Sequence, residues 1–186
     1  MDRHFFGYGS LVNRLTHDHA PAHPARVTGW RREWRATGRR RLAFLSVRPD
    51  PGCEIEGLVA EVPGGDWAAL DRREAGYDRV LLAPAQLAAP VTDGVAVYVI
   101  PPDPVPRDLA EHPILLSYLD VVVQGFLAEF GPAGVARFFE TTDGWQAPVL
   151  DDRARPMYPR AQRLTEAARD MVDGNLHRLG VRRLAE

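Results

Sequence analysis

Two short segments, about sixty residues apart, carry the residue types best suited to chemistry. The first is Phe5-Phe6-Gly7-Tyr8-Gly9-Ser10-Leu11, an apolar run that reads as a strand entering a glycine loop. Glycines without Cβ atoms let a ligand approach backbone N–H groups, so Tyr8, Gly9, Ser10 and Leu11 form a natural cradle for an anion. The loop alone reads equally well as a tight turn with a capping serine. The second is Leu70-Asp71-Arg72-Arg73-Glu74-Ala75-Gly76-Tyr77. On a helix Trp67, Leu70 and Glu74 share one face, which carries the Glu74 carboxylate toward the packed side, while Arg72 and Arg73 are expected to point elsewhere. Burial and a place in the last helical turn both disfavour its charge and raise its pKa, as a general base near neutral pH requires. The competing reading is a structural glutamate paired with a nearby arginine. Neither a dinucleotide fingerprint nor a nucleophile elbow fits the loop: Val12 stands at the third glycine position, and no glycine follows two residues after Ser10.

These groups need a scaffold. The chain has 186 residues, 45% hydrophobic and 26% charged, enough for one domain, residues 1–186, with a full core. A β-rich first half is expected, with strands at Phe5–Tyr8, Val27–Arg35, Leu42–Val47, Glu54–Val62, Arg79–Ala83 and Val95–Ile100. A short helix, Trp67–Glu74, sits among them with Asp66 as its N-cap. Beyond the stiff run Pro101–Pro106, from about residue 107, the pattern becomes helical. One helix opens near Pro113 and runs to about residue 130, a short one covers Gly134–Glu140, and a last one starts near Thr165. Residues 151–163 read as a proline-broken loop, whose runs Asp151-Asp152-Arg153 and Tyr158-Pro159-Arg160 either cover the site as a lid or lie on the surface, the surface reading being preferred. The fold class is α+β.

Composition narrows the function classes. The net charge is −2, which exerts no general pull toward nucleic acid or anionic membrane. All 23 basic residues are arginine, which excludes Schiff-base chemistry on lysine and a P-loop lysine. The single cysteine, Cys53, cannot form an intrachain disulfide and suits a reducing compartment. Met1–His4 leads into an apolar run too short for a signal peptide, and no membrane helix is expected, so the expected setting is cytoplasmic. Arg26, Arg31, Arg32, Arg35, Arg39, Arg40 and Arg41, with Trp30 and Trp34 between them, read as a solvated or acid-paired face more readily than as a nucleic-acid surface. His17, Asp18, His19 and His23 lie in a proline-rich stretch, and no metal site is expected there.

The order Phe-Gly-Tyr-Gly-Ser-Leu, then Leu-Asp-Arg-Arg-Glu-Ala-Gly-Tyr, resembles the gamma-glutamylcyclotransferase-like superfamily, with its ChaC and AIG2-like groups. Ser117-Tyr118-Leu119-Asp120 and Gly125 extend the resemblance, which covers roughly residues 5 to 125. It implies a small mixed β-barrel with flanking helices. It implies an enzyme that cyclises a γ-glutamyl amide or peptide to 5-oxoproline and releases the amine. By that resemblance Glu74 is the acid/base, Tyr8, Gly9, Ser10 and Leu11 bind the γ-glutamyl group, and Tyr118 is a substrate-site tyrosine. No metal or organic cofactor is implied; the partner is a small γ-glutamyl compound. After Leu11 the sequence reads Val12-Asn13-Arg14-Leu15-Thr16-His17, where ChaC-like proteins carry a Trp-x-Pro continuation. The expected substrate is therefore other than glutathione, with Arg14, His17 and His19 favouring a polar or acidic leaving group. Two other functions fit the same residues: a non-catalytic binding module on this fold, and a nucleic-acid adaptor using residues 26–41.

Overall fold

The computed structural model describes residues 3–91 and 93–185. Its strands are β1 (His4–Gly7), β2 (Ala22–Thr37), β3 (Arg40–Glu61), β4 (Asp78–Leu81), β5 (Leu87–Ala88), β6 (Val95–Val99), β7 (Ile114–Leu115), β8 (Thr142–Asp143), β9 (Val149–Asp151) and β10 (Arg183–Ala185). The helices are α1 (Trp67–Arg73), α2 (Leu116–Glu140) and α3 (Glu166–Arg178). The main sheet runs β4-β6-β1-β3-β2-β5, with β8 joined to β2, and curls into half a barrel. It is mixed: β1 lies parallel to β6 and antiparallel to β3. A second, three-stranded sheet runs β10-β9-β7. This is the expected α+β class.

The core fills the concave side of this sheet. Phe5, Phe6, Val27, Leu45, Val47, Leu58, Val59 and Val97 meet Leu119, Val122, Val123, Phe126 and Phe138 of α2. Alternation along β2 sets Ala25 and Val27 inward, and then the phase changes. A register shift between Thr28 and Trp30, at Gly29 with φ +85°, turns Trp30, Arg32 and Trp34 inward instead of Arg31 and Glu33. A guanidinium is thereby buried under the site.

Three expectations are corrected. Leu42–Val47 and Glu54–Val62 are not separate strands: β3 runs through Pro49 and Pro51. Pro49 lies opposite Trp30 at the edge of the β2 bulge, where a missing N–H is tolerated. Pro113 does not open a helix. The Ile114 N–H donates to the Pro148 carbonyl at 2.8 Å, which commits the segment to β7 and delays the helix to Leu116. The two expected helices near 114–140 are the halves of α2, which kinks at Gly131, with φ +66°, just before Pro132. Among the described residues, helix α2 alone is long and apolar enough to cross a bilayer, a property that core helices share. The remaining helices start as read: Asp66 Oδ1 accepts from Ala68 N at 3.0 Å, and the Thr165 side chain caps α3.

The arginine-rich hairpin is largely acid-paired. Arg26 meets Glu56 at 3.1 Å, Arg31 meets Asp50 at 2.9 Å, and Arg48 meets Asp143 at 2.8 Å.

Candidate active site

The glycine loop follows β1 and turns through a single 3-10 turn, Ser10–Val12. Helix α2 presses on it from behind. A Cβ at Gly125 would lie 2.7 Å from Asn13 N, so only glycine lets helix and loop come this close. Asn13 then fastens the loop to the helix, donating from Nδ2 to the Val121 carbonyl at 2.9 Å and to Gln124 Oε1 at 2.8 Å. From below, buried Arg32 donates from Nε to the Tyr8 carbonyl at 2.9 Å and from Nη1 to Thr141 Oγ1 at 2.8 Å; it also binds the Glu56 carbonyl. The Phe126 and Phe138 rings pack on its guanidinium at 4.8 and 5.3 Å. Burial pushes the Arg32 pKa down to about 9, so the group remains charged at neutral pH.

Gly9 is explained by protein rather than ligand. A Cβ there would sit 2.8 Å from the Tyr118 hydroxyl and 3.1 Å from Leu45 Cδ2. The space beside the glycine thus holds Tyr118, which α2 supplies to the site. Tyr8 takes a supporting place: its hydroxyl donates to the Tyr98 carbonyl at 2.6 Å beneath the loop. Tyr77 OH donates to the Leu45 carbonyl at 2.9 Å.

Glu74 follows the last residue of α1 and caps its C-terminus, its N–H bonded to the Leu70 carbonyl. Its side chain is only 17% exposed. Burial raises its pKa above the ordinary glutamate value, opposed by the positive charges of Arg73 and Arg160. Arg73 Nε lies 3.2 Å from Glu74 Oε1. This corrects the expectation that Arg73 points away, because Glu74 lies just past the helix end, where regular helical spacing no longer holds. The arginine partner of the competing reading is therefore present, and it is the chain neighbour.

Glu74, Ser10, Leu45, Tyr77 and Tyr118 line both parts of one cleft. The inner part is a narrow recess of about 30 Å³ bounded by Gly7 to Leu11 and Tyr98. The outer part is a chamber of about 200 Å³ that adds Leu42, Phe44, Arg73, Leu115, Tyr158 and Arg160. Glu74, Ser10 and Tyr118 are thus brought together at the junction of the two parts. Gly9 and Leu11 border only the inner recess, with Tyr8.

The sequence missed Arg73 and Tyr77 as lining residues, and it weighed Tyr158 and Arg160 as a cover over the site but preferred a surface loop. Tyr158 and Arg160 arrive on the 151–163 loop, which is anchored and borders the cleft, a correction to the surface-loop reading. Fully buried Asp152 is the anchor. It accepts from Ser117 N at 2.8 Å, Ser117 Oγ at 2.5 Å and Met157 N at 2.8 Å. Tyr158 then meets Tyr118 edge-on, with ring centroids 5.1 Å apart. The adjacent Arg153 grips Asp120 at 2.7 Å and Asp173 at 2.9 Å, tying the loop to α2 and α3.

The residues expected to choose the leaving group lie elsewhere. Arg14 pairs with Glu129 at 2.6 Å, and His17 Nε2 contacts the Leu11 carbonyl at 2.9 Å. None of Arg14, His17 and His19 lines the chamber. Among the described residues, no group of three or more His, Cys, Asp or Glu side chains is placed to hold a metal ion.

The architecture matches solved structures at low sequence identity. A structure described as gamma-glutamyl cyclotransferase superposes with a TM-score of 0.54 at 13% identity, over 92% of this chain and 98% of that one. An uncharacterized protein from Homo sapiens gives a TM-score of 0.54 at 14% identity, with the same coverage. YkqA from Bacillus subtilis gives 0.54 at 15% identity, over 74% of this chain and 53% of that one. No protein-family model matches the sequence, and no curated protein does. The fold is that of gamma-glutamyl cyclotransferase.

Proposed function

We propose that the protein is a γ-glutamyl cyclotransferase. On this reading it closes a γ-glutamyl amide or peptide to 5-oxoproline and releases the amine. The observation that carries the reading is the buried Glu74 carboxylate facing the Ser10 loop and Tyr118 across one cleft, on this fold.

A γ-glutamyl amide carries its own nucleophile, the α-amine. The amine nitrogen attacks the γ-carbonyl carbon, the carbonyl electrons move to oxygen, and Glu74 takes the proton that the nitrogen sheds. When the tetrahedral centre collapses, the bond to the leaving nitrogen breaks and the Glu74 carboxylic acid returns the proton to it. Atoms balance without hydrolysis, so exclusion of water from the cleft favours the reaction. The Gly9–Leu11 backbone and the Tyr118 hydroxyl stabilise the developing oxyanion or hold the substrate carboxylate. Folding the substrate into a five-membered ring in a shaped cleft supplies the near-attack geometry.

The test is a panel of γ-glutamyl amino acids, peptides and amines, glutathione included, assayed for 5-oxoproline by mass spectrometry. The Glu74→Gln variant is the control. It is expected to lose about 10²-fold or more in kcat while keeping its fold. Equal turnover by the variant would remove Glu74 as the base, and no release from any compound would sink the reading.

A further inference from the structure

The outer chamber has a charge pattern that cyclisation of the γ-glutamyl group does not require. Its lining is largely apolar and aromatic, with Leu42, Phe44, Leu45, Leu115, Tyr118 and Tyr158. Three lining residues are charged: Glu74, Arg73 and Arg160. Arg73 is spent within the protein. Besides Glu74 it binds the Thr16 carbonyl at 2.8 Å and Thr16 Oγ1 at 3.1 Å. Arg160 is different. It is half-buried, and among the described residues no carboxylate lies within ion-pair distance of its guanidinium. Its charge reaches Glu74 across the cleft, but with no carboxylate in ion-pair contact this cation at the wall of an apolar chamber is placed to meet an anion from outside.

Position decides which part of the substrate that anion belongs to. Glu74 and Ser10 stand where recess and chamber meet. The reacting γ-carbonyl must lie there, so the leaving amine points into the chamber. Arg160 borders the chamber and not the recess.

Resting on the cyclotransferase reading, we propose that Arg160 binds an anionic group, a carboxylate in the simplest case, on the leaving amine. The substrates favoured are then γ-glutamyl conjugates of amino acids or peptides over those of neutral amines. The specificity element is carried by the Asp152-anchored loop rather than by the residues after the glycine loop. Asp152 and Arg153 fix the loop to α2 and α3, so the guanidinium is held ready rather than ordered at the moment of binding.

The test uses two substrates that differ by one carboxylate, γ-glutamylalanine and γ-glutamylethylamide. Wild type is expected to favour γ-glutamylalanine by about 10- to 100-fold in kcat/KM, mostly through KM. In Arg160→Gln that ratio is expected to fall toward one, and Arg160→Lys is expected to restore part of it. Melting temperatures confirm that the variants fold. A wild-type ratio near one, or a ratio that Arg160→Gln leaves intact, would overturn the assignment while leaving the cyclotransferase reading standing. Failure of wild type to release 5-oxoproline from either compound, or from the wider panel, would overturn both.

Discussion

Arg73 Nε lies 3.2 Å from Glu74 Oε1, and the same guanidinium grips the Thr16 carbonyl and hydroxyl. Thr16 Oγ1 in turn lies 3.0 Å from the Ser10 carbonyl. One arginine therefore spans the two halves of the cleft and sets the distance between the carboxylate and the glycine loop. It also opposes burial. Desolvation favours neutral Glu74, and the adjacent cation favours the carboxylate.

This balance gives a pH prediction. The base must be deprotonated, so kcat/KM falls as pH drops through the pKa of Glu74. That pKa is raised, so the acid limb is expected above the ordinary glutamate range of about 4.3. Removing the cation in Arg73→Gln is expected to move the limb to higher pH, read from kcat/KM profiles of the folded variant. Stability carries the opposite sign. The folded pKa exceeds the unfolded one, so Glu74 favours folding at low pH and this contribution is lost as pH rises through the folded pKa. Melts across that window are expected to show a smaller decline with rising pH in Glu74→Gln. An unmoved acid limb in Arg73→Gln would mean that Glu74 is not the titrating group.

The second prediction concerns Arg32. Its guanidinium serves the Tyr8 and Glu56 carbonyls and Thr141 Oγ1 in a site only 1% exposed. Arg32→Leu would leave these acceptors buried without their donor, at a cost of about 3–5 kcal/mol. Denaturant melts measure this; a loss below about 1 kcal/mol would show that the acceptors find other donors.

The glycine loop, the Glu74 helix and its Asp66 cap were legible because each is a local pattern. Arg32 was not. Its inward aim depends on the Gly29 bulge, and without that one-residue shift the alternation puts Arg31 and Glu33 inside. Arg160 was only half legible: the sequence offered its run as a cover or a surface loop, and a proline-broken loop has no periodicity to decide between them, because its place depends on Asp152 bonding Ser117 thirty-five residues earlier in the chain. Gly9 was legible as a close approach, but its neighbour, Tyr118, comes from a helix more than a hundred residues away.

Asp152 supports the third prediction. It accepts bonds from the start of α2 and from Met157, so it holds both the helix and the loop. Asp152→Ala is expected to cost about 2–4 kcal/mol in stability. The freed loop would carry Tyr158 and Arg160 with it, so KM is expected to rise more than kcat falls. A stability loss with unchanged KM would separate the loop anchor from substrate binding.

The last prediction turns on the contact between Gly9 and Tyr118. In Gly9→Ala the new methyl meets the Tyr118 hydroxyl at 2.8 Å and Leu45 Cδ2 at 3.1 Å. Either Tyr118 or the loop must move, which is expected to cost about 1–3 kcal/mol. Crowding by the hydroxyl has a specific signature. In a Tyr118→Phe background, where that oxygen is gone, Gly9→Ala is expected to cost less, with a coupling of about 0.5–2 kcal/mol in a double-mutant cycle. Additive losses would mean that the methyl is resisted by Leu45 or the loop itself, and that glycine is not there to make room for the tyrosine.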